Sequence, residues 1–357
     1  MKADFTRQLI KWNRDQNTRS MPWKGEKDPY KIWLSEIILQ QTRVEQGLDY
    51  YQQFVHTFPT IGQLAKAPEE KVFKLWEGLG YYTRCKNLIA TAKWIAKERK
   101  GKFPDTYEEI LTLKGIGPYT AAAIASFAFN LPHAVVDGNV FRVLSRYFGI
   151  STPIDSTEGK KLYTQIAYEL LDKKKPGLYN QAIMDLGAVI CKPQQPLCAK
   201  CPQKKNCRAF QHDWMKTLPI KEKKLKKKTR WFYYFIIHTD GKLLVRKRNE
   251  KDIWENLYEF VLYESNELLI PGKKTLLAVL KKWFGKKTVS VTGISEIFRQ
   301  QLTHQTIIGQ FISVNIDMVP ASLKDYELIK ISAIKKHPFP KLITSYLGQA
   351  AKPLQLF

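Results

Sequence analysis

No stretch of this 357-residue chain is apolar for long enough to cross a membrane. Its first residues, MKADFTRQLIKW, lack the apolar core that a secretory signal needs, so the chain is expected to stay in the cytoplasm. Cysteine is scarce. Of the five, Cys85 stands alone, while Cys191, Cys198, Cys201 and Cys207 crowd into one short segment. Without export a disulfide framework is not expected, and metal ligation is the better reading. Acid is in short supply as well: 33 Asp and Glu face 58 Lys and Arg, a net charge of +25. That imbalance points to a polyanionic partner rather than a membrane, and 9 Trp, 17 Tyr and 18 Phe could stack on nucleobases. The blander reading is a basic protein kept soluble by its lysines.

What is present divides by texture. Residues 1–214 read as helices, with periodic apolar segments such as DPYKIWLSEIILQQ, CKNLIATAKWIAKER and NVFRVLSRYFG between Pro/Gly breaks. Asp28-Pro29, Thr106 and Asn139 are expected helix starts. Residues 215–230 contain KEKKLKKKTR, read as a solvated linker or, more sharply, as a strap on phosphate. Residues 231–357 change character. WFYYFIIHT, KLLVRKR, LYEFVLYE, VSVTGI and TIIGQFISVNI are strand-like, and KTLLAVLKKWFG interrupts them as a helix. The expectation is a multidomain chain, an all-α part followed by an α+β part.

Three local patterns carry chemistry. In LKGIGPYTAAA, Gly115 and Gly117 permit a tight turn and close backbone approach, and Pro118 suits the first turn of a following helix. The helix N-terminus would offer N–H groups to an anion, most simply a DNA phosphate, although a bare αα corner has the same look. The four clustered cysteines are spaced C-x6-C-x2-C-x5-C, which suits an iron–sulfur cluster or a structural zinc. Zinc sites usually come as two close pairs, and only one C-x2-C is present. Glu36 sits in YKIWLSEIILQQ, an otherwise apolar helix where desolvation would raise its pKa and make it a general acid near neutrality. An exposed glutamate near a helix end is the alternative.

The hairpin and the aspartate-bearing turn that follows it, LKGIGPYTAAAIASFAFNLPHAVVDGNVFRVLSR, resemble the endonuclease III superfamily of helix-hairpin-helix DNA glycosylases, as does the 6-2-5 cysteine spacing. WNRDQNTRSMPWKGEKDPY, the Glu36 helix, GLGYYTRCKNL and YNQAIMDLGAVIC resemble the adenine DNA glycosylases of the MutY type. The resemblance is dense over residues 1 to about 214 and loose beyond. It departs at Lys24, where the family usually has arginine. The C-terminal part resembles that family's Nudix-like module but lacks the Nudix catalytic box, so no hydrolase activity is expected there.

The resemblance implies a monomeric enzyme that flips adenine from A:8-oxoguanine or A:G mispairs in double-stranded DNA and hydrolyses its sugar bond. Glu36 would protonate the base, Asp137 would stabilise the sugar cation, and Tyr119 and Asn139 would orient Asp137. Strand-cutting relatives carry a nucleophilic lysine where this chain has Tyr119, so base removal without strand cleavage is implied. Arg19, Trp23 and Gln181 would line the adenine pocket, and Gln41 and Tyr81 would fill the gap in the duplex. Cys191, Cys198, Cys201 and Cys207 would hold a [4Fe–4S] cluster that fixes a basic loop. Thr303 and His304, in Leu302-Thr303-His304, would read 8-oxoguanine, although the family has Phe-Ser-His there. The competing readings are a monofunctional glycosylase for another mispaired base and a non-catalytic DNA binder.

Overall fold

The computed structural model describes residues 2–222, 227–265, 267–269, 273–285 and 289–350. The first part is helical: α1 (Lys2–Asp15), α2 (Pro29–Leu39), α3 (Val44–Thr57), α4 (Ile61–Lys66), α5 (Glu69–Leu75), α6 (Tyr82–Glu98), α7 (Tyr107–Thr112), α8 (Pro118–Phe129), α9 (Gly138–Phe148), α10 (Thr157–Leu170), α11 (Pro176–Asp185) and the short α12 (Arg208–Gln211). Two compact units emerge. One joins Met1–Lys66 to Lys86–Lys224, and the other joins Ala67–Cys85 to Leu225–Phe357. The segment 67–85, helical like its neighbours in sequence, packs with the second unit. There Lys74 Nζ donates to the His337 carbonyl at 3.1 Å, and Glu77 Oε1 accepts from the Phe339 N–H at 2.7 Å.

In the first unit, α1 buries Phe5, Leu9 and Trp12, one helical face, among residues of α9, α10 and α11. α2 is buried on nearly every side, including Ile32, Trp33, Leu34, Ser35, Glu36, Ile37 and Ile38. Pro29 opens it behind Asp28, whose carboxylate caps the Tyr30 N–H. The helix beside it, α8, presents Ala121, Ala122, Ala123 and Ala125, small enough for close helix–helix approach. The glycine turn is confirmed between α7 and α8, but its two glycines differ. Gly115 has φ +83°, and a Cβ there would meet Asn87 at 2.8 Å. Gly117, at φ −99°, is ordinary extended backbone with open space where a Cβ would be. A special conformation is therefore needed only at Gly115.

The second unit is built on one mixed eight-stranded sheet. Its strands are β1 (Lys228–Thr239), β2 (Lys242–Lys247), β3 (Tyr258–Glu259), β4 (Val261–Ser265), β5 (Ser290–Ile294), β6 (Phe298–Gln301), β7 (Gln305–Asn315) and β8 (Glu327–Lys330). β1 runs parallel to β7 and antiparallel to β2 and β4. Both faces of β1 are buried, which is why its sequence is a continuous apolar run rather than an alternation. Tyr233, Phe235 and Ile237 meet Leu280 and Phe284 of α13 (Lys273–Phe284). On the other face Tyr234 stacks on Phe311, which stacks on Tyr346 of α14 (Lys341–Ala350).

The expected linker 215–230 is only partly a linker. Residues 223–226 lie outside those described. On one side Met215 and Leu218 are held by Arg146, a buried guanidinium that needs carbonyl acceptors, at 2.7 and 3.0 Å. On the other side Lys228–Arg230 already belong to β1, and Arg230 pairs with Asp252 and Glu264. Among the described residues no helix is long and apolar enough to cross a membrane.

Candidate active site

A cleft of about 840 Å³ opens in the helical unit. Of the residues singled out from sequence, Arg19, Trp23, Glu36, Gln41, Tyr119, Asp137, Asn139 and Gln181 all line it. Gly115 and Gly117 do not; they lie at the corner that starts α8. Tyr81, Thr303 and His304 fall in the second unit, where the Tyr81 hydroxyl is hydrogen-bonded to that of Thr303. Thr303 and His304 form the turn between β6 and β7, with His304 exposed. Gln41 and the exposed Tyr81 both hold left-handed backbone, φ 56° and 49°.

Glu36 projects from the fully packed α2 and is 8% exposed. Burial pushes its pKa up to about 7; a hydrogen bond from Tyr119 opposes the shift, and the Asp137 charge adds to it. Burial raises Asp137 too, but several groups pull it back. Its Oδ1 accepts the N–H groups of Asn139 and Val140 at 2.9 and 2.8 Å, and Oδ2 accepts Asn139 Nδ2 at 2.7 Å. The Arg142 guanidinium adds a favourable charge. The two carboxyl groups thus differ in one respect that matters: Asp137 is surrounded by donors, and Glu36 has a single phenol. Burial therefore raises both carboxyl groups, and more of it is offset at Asp137 than at Glu36.

Asp137 is also the N-cap of α9, which begins at Gly138 rather than at Asn139 as expected from sequence. Asn139 stands instead in the first turn, where its amide is oriented from behind. Arg142 Nη2 donates to Asn139 Oδ1 at 2.8 Å, which leaves Nδ2 facing the carboxylate. Arg142 is itself fixed by the carbonyls of Gly187 (2.8 Å) and Cys191 (2.7 Å). Past α11 the chain forms a π-helical turn, Leu186–Ile190, and Gly187 lies so close to Asn139 that a Cβ would sit 2.6 Å from its Cβ.

Sequence reasoning missed Arg142 and Asp185. Both carry the signal that found Glu36, a charge inside an apolar helical run. Asp185 is fully buried and accepts from Arg19, Lys24, Asn17 and Gln181.

The four clustered cysteines are all free of disulfides, and Cys191 and Cys207 are buried. Each lies within electrostatic reach of others of the set. The backbone N–H of Gln203 points to the Cys201 sulfur, and those of Phe210 and Ala209 to Cys207. Arg146 Nη1 approaches Cys191 Sγ at 3.5 Å. Burial raises the Cys198, Cys201 and Cys207 thiols and these donors oppose it only in part, so the set fits a metal group chiefly by its chemistry, four cysteines on one short loop. Among the described residues no three His, Cys, Asp or Glu side chains stand close enough to share one ion. Cys85 is a buried thiol outside the set, pushed well up by burial.

A family model described as an HhH-GPD superfamily base excision DNA repair protein matches residues 34–167, and a NUDIX domain model matches residues 232–349. An adenine DNA glycosylase of Buchnera aphidicola subsp. Baizongia pistaciae is 34% identical over 310 residues, covering 85% of this chain and 84% of that protein. The mouse adenine DNA glycosylase is 42% identical over 216 residues, covering 58% of this chain and 42% of that protein. Among solved structures, a thermostable thymine-DNA glycosylase is 30% identical with a TM-score of 0.54, covering 59% of this chain and 97% of its own. A trapped endonuclease III–DNA covalent intermediate shares the fold at 19% identity and a TM-score of 0.52, covering 60% and 98%.

Proposed function

We infer the chemistry from one premise: the chain belongs to the adenine DNA glycosylase family, and it is a DNA N-glycosylase of base excision repair. Within that family we read it as a monofunctional enzyme that removes adenine opposite 8-oxoguanine or guanine. The observation that carries this reading is the cleft in which Glu36 and Asp137 meet beside Tyr119, a phenol at the position where strand-cutting relatives carry a lysine.

An adenine extruded from the duplex would enter between Trp23, Arg19 and Gln181. Adenine leaves poorly until a ring nitrogen is protonated. Neutral Glu36 would supply that proton, at N7 by analogy with the family, and Asp137 would stabilise the oxocarbenium-like sugar until water adds. Tyr119 cannot form the Schiff base through which a lysine would cut the strand. The first turn of α8 has no side-chain cap at Gly117, so its N–H groups are open to a DNA phosphate. The cysteines would hold a [4Fe–4S] cluster; its role when bound would be to fix a loop that carries Lys192, Lys200, Lys204 and Lys205 toward the phosphates. The second unit, with Thr303 and His304 on the turn before β7, would read the base opposite adenine.

The test is a panel of duplexes bearing A opposite 8-oxoguanine, A opposite G, T opposite G, and oxidised pyrimidines. Adenine should be released to leave an intact strand with an abasic site. Loss of thymine with adenine untouched would favour the thymine-DNA glycosylase that this chain resembles at 30% identity. Brown, iron-containing protein would support the cluster, and colourless, zinc-containing protein would refute it.

A further inference from the structure

Asp185 closes α11 directly behind the wall of the cleft, and no part of its side chain reaches solvent. Four donors meet its two oxygens. Oδ1 accepts Arg19 Nη1 at 2.8 Å and Gln181 Nε2 at 3.0 Å, and Oδ2 accepts Asn17 Nδ2 at 2.8 Å and Lys24 Nζ at 3.1 Å. Three of those donors, Arg19, Lys24 and Gln181, belong to residues that line the cleft. A carboxylate only accepts hydrogen bonds, so the amide of Gln181 has one possible orientation against it: the NH₂ faces Asp185. Gln181 is four residues earlier on the same helical face, which brings the two side chains together. With Nε2 committed, the free end of the amide is the carbonyl Oε1, which has no partner among the described residues.

We propose that Asp185 is a positioning residue for base selection: it turns Gln181 so that the cleft presents an acceptor where a purine's 6-substituent would lie. Adenine carries an amino donor there. Hypoxanthine and guanine carry a carbonyl oxygen, which would face Oε1 acceptor to acceptor. Asp185 also holds the cations of Arg19 and Lys24 at the edge of the cleft, so neither charge swings inward to reward the 6-oxo base. This inference rests on the adenine-removing reading above and concerns how that base is told from its 6-oxo analogue.

The experiment compares single-turnover release of adenine and of hypoxanthine, each opposite 8-oxoguanine, and reads the ratio of the two rates. Asp185→Asn lets the Gln181 amide face either way, and the adenine preference should fall by about tenfold, as expected when one hydrogen-bond match is replaced by a mismatch. Gln181→Met, which removes the acceptor and keeps the length, should lower the ratio similarly, and the double variant should lower it no further. A purely structural role for Asp185 would slow both rates alike and leave the ratio unchanged, overturning the proposal. So would additive effects of the two substitutions on the ratio. If Asp185→Asn does not fold, Gln181→Met decides alone, and an unchanged ratio refutes the idea. Wild-type enzyme that releases no adenine at all would instead sink the reading of the substrate.

Discussion

Glu36 in the helical cleft and Glu259 in the sheet unit are both buried glutamates, and burial pushes both carboxyl groups toward the neutral form. Their neighbours separate them. Glu259 accepts from Arg246 at 2.9 Å and from Arg248, and those two guanidiniums pull its pKa back down. Among the described residues no cation offsets the burial of Glu36, which meets only the Tyr119 phenol and the unfavourable charge of Asp137. A buried acid with two arginines is a structural ion pair, whereas a buried acid without one fits the proposed proton donor. Burial alone does not separate the two; the counter-charge does.

The strongest way to break that contrast is chemical. Glu36→Gln and Asp137→Asn should each slow single-turnover adenine release by roughly 10²–10⁴-fold while duplex binding by gel shift stays near wild type. If Glu36 reacts in its protonated form, as proposed, the wild-type rate should fall as pH rises through about 7. A rate that climbs steadily above that pH would mean Glu36 acts ionised. Glu259 should not behave this way. Its removal by Glu259→Ala strands the buried Arg248 and the half-buried Arg246 and should cost about 3–5 kcal/mol of stability in denaturant.

The same pair can be sharpened through stability. Glu36 has a folded pKa of about 7 against an ordinary 4.5, so the folded state holds this proton more tightly than the unfolded state does. The burden is therefore absent below the unfolded pKa, grows as pH rises between the two values, and is complete above the folded one. Glu36→Gln should be more stable than wild type by roughly 3 kcal/mol above that window, with the gain vanishing in acid. An inactive variant that gains stability only at high pH is the signature of an acid held neutral against its solvation. Equal melting temperatures at pH 8 would contradict it.

The support behind Asp137 admits a smaller perturbation. Gly187 packs against Asn139, and a methyl group there would clash with its Cβ and backbone and so displace the residue whose amide meets the carboxylate. Gly187→Ala should lower the excision rate by about ten- to a hundredfold, and because the clash involves backbone it should also cost about 1–3 kcal/mol of stability. An unchanged rate would show that the Asn139 contact is not needed to place Asp137.

Much of this was legible in the residues. Glu36 stood out as an acid in an apolar helix, and the strands of the second unit as β-branched and aromatic runs. Asp185 and Arg142 carried the same kind of signal and were passed over, because a buried charge reads as functional only once its partners are known, and those partners lie far away in sequence. The helices α1 and α3, the short strands β6 and β8, and α14 were not among the periodic segments. A four-residue strand is too short to show a period, and its pairing with β7 or β2 is what forms it. The packing of 67–85 with the sheet unit was also illegible, since local composition says nothing about which half of the chain a helix joins.

The glycine corner supplies the finest test, because its two glycines look equivalent in sequence and differ in backbone. Gly115 is left-handed and its missing Cβ faces Asn87, so Gly115→Ala pays both a conformational and a steric penalty. It should cost about 1–3 kcal/mol in denaturant. Gly117 is extended with open space around it, and as an N-cap without a side-chain bond it gives up little on gaining a methyl. Gly117→Ala should cost less than about 1 kcal/mol. That methyl nevertheless projects where a phosphate would approach the α8 N–H groups, so its effect belongs in duplex affinity rather than in folding. Equal stability losses at the two positions would mean the corner is read wrongly, whereas a Gly117→Ala protein that folds normally and binds duplex as tightly as wild type would remove this corner from the DNA interface.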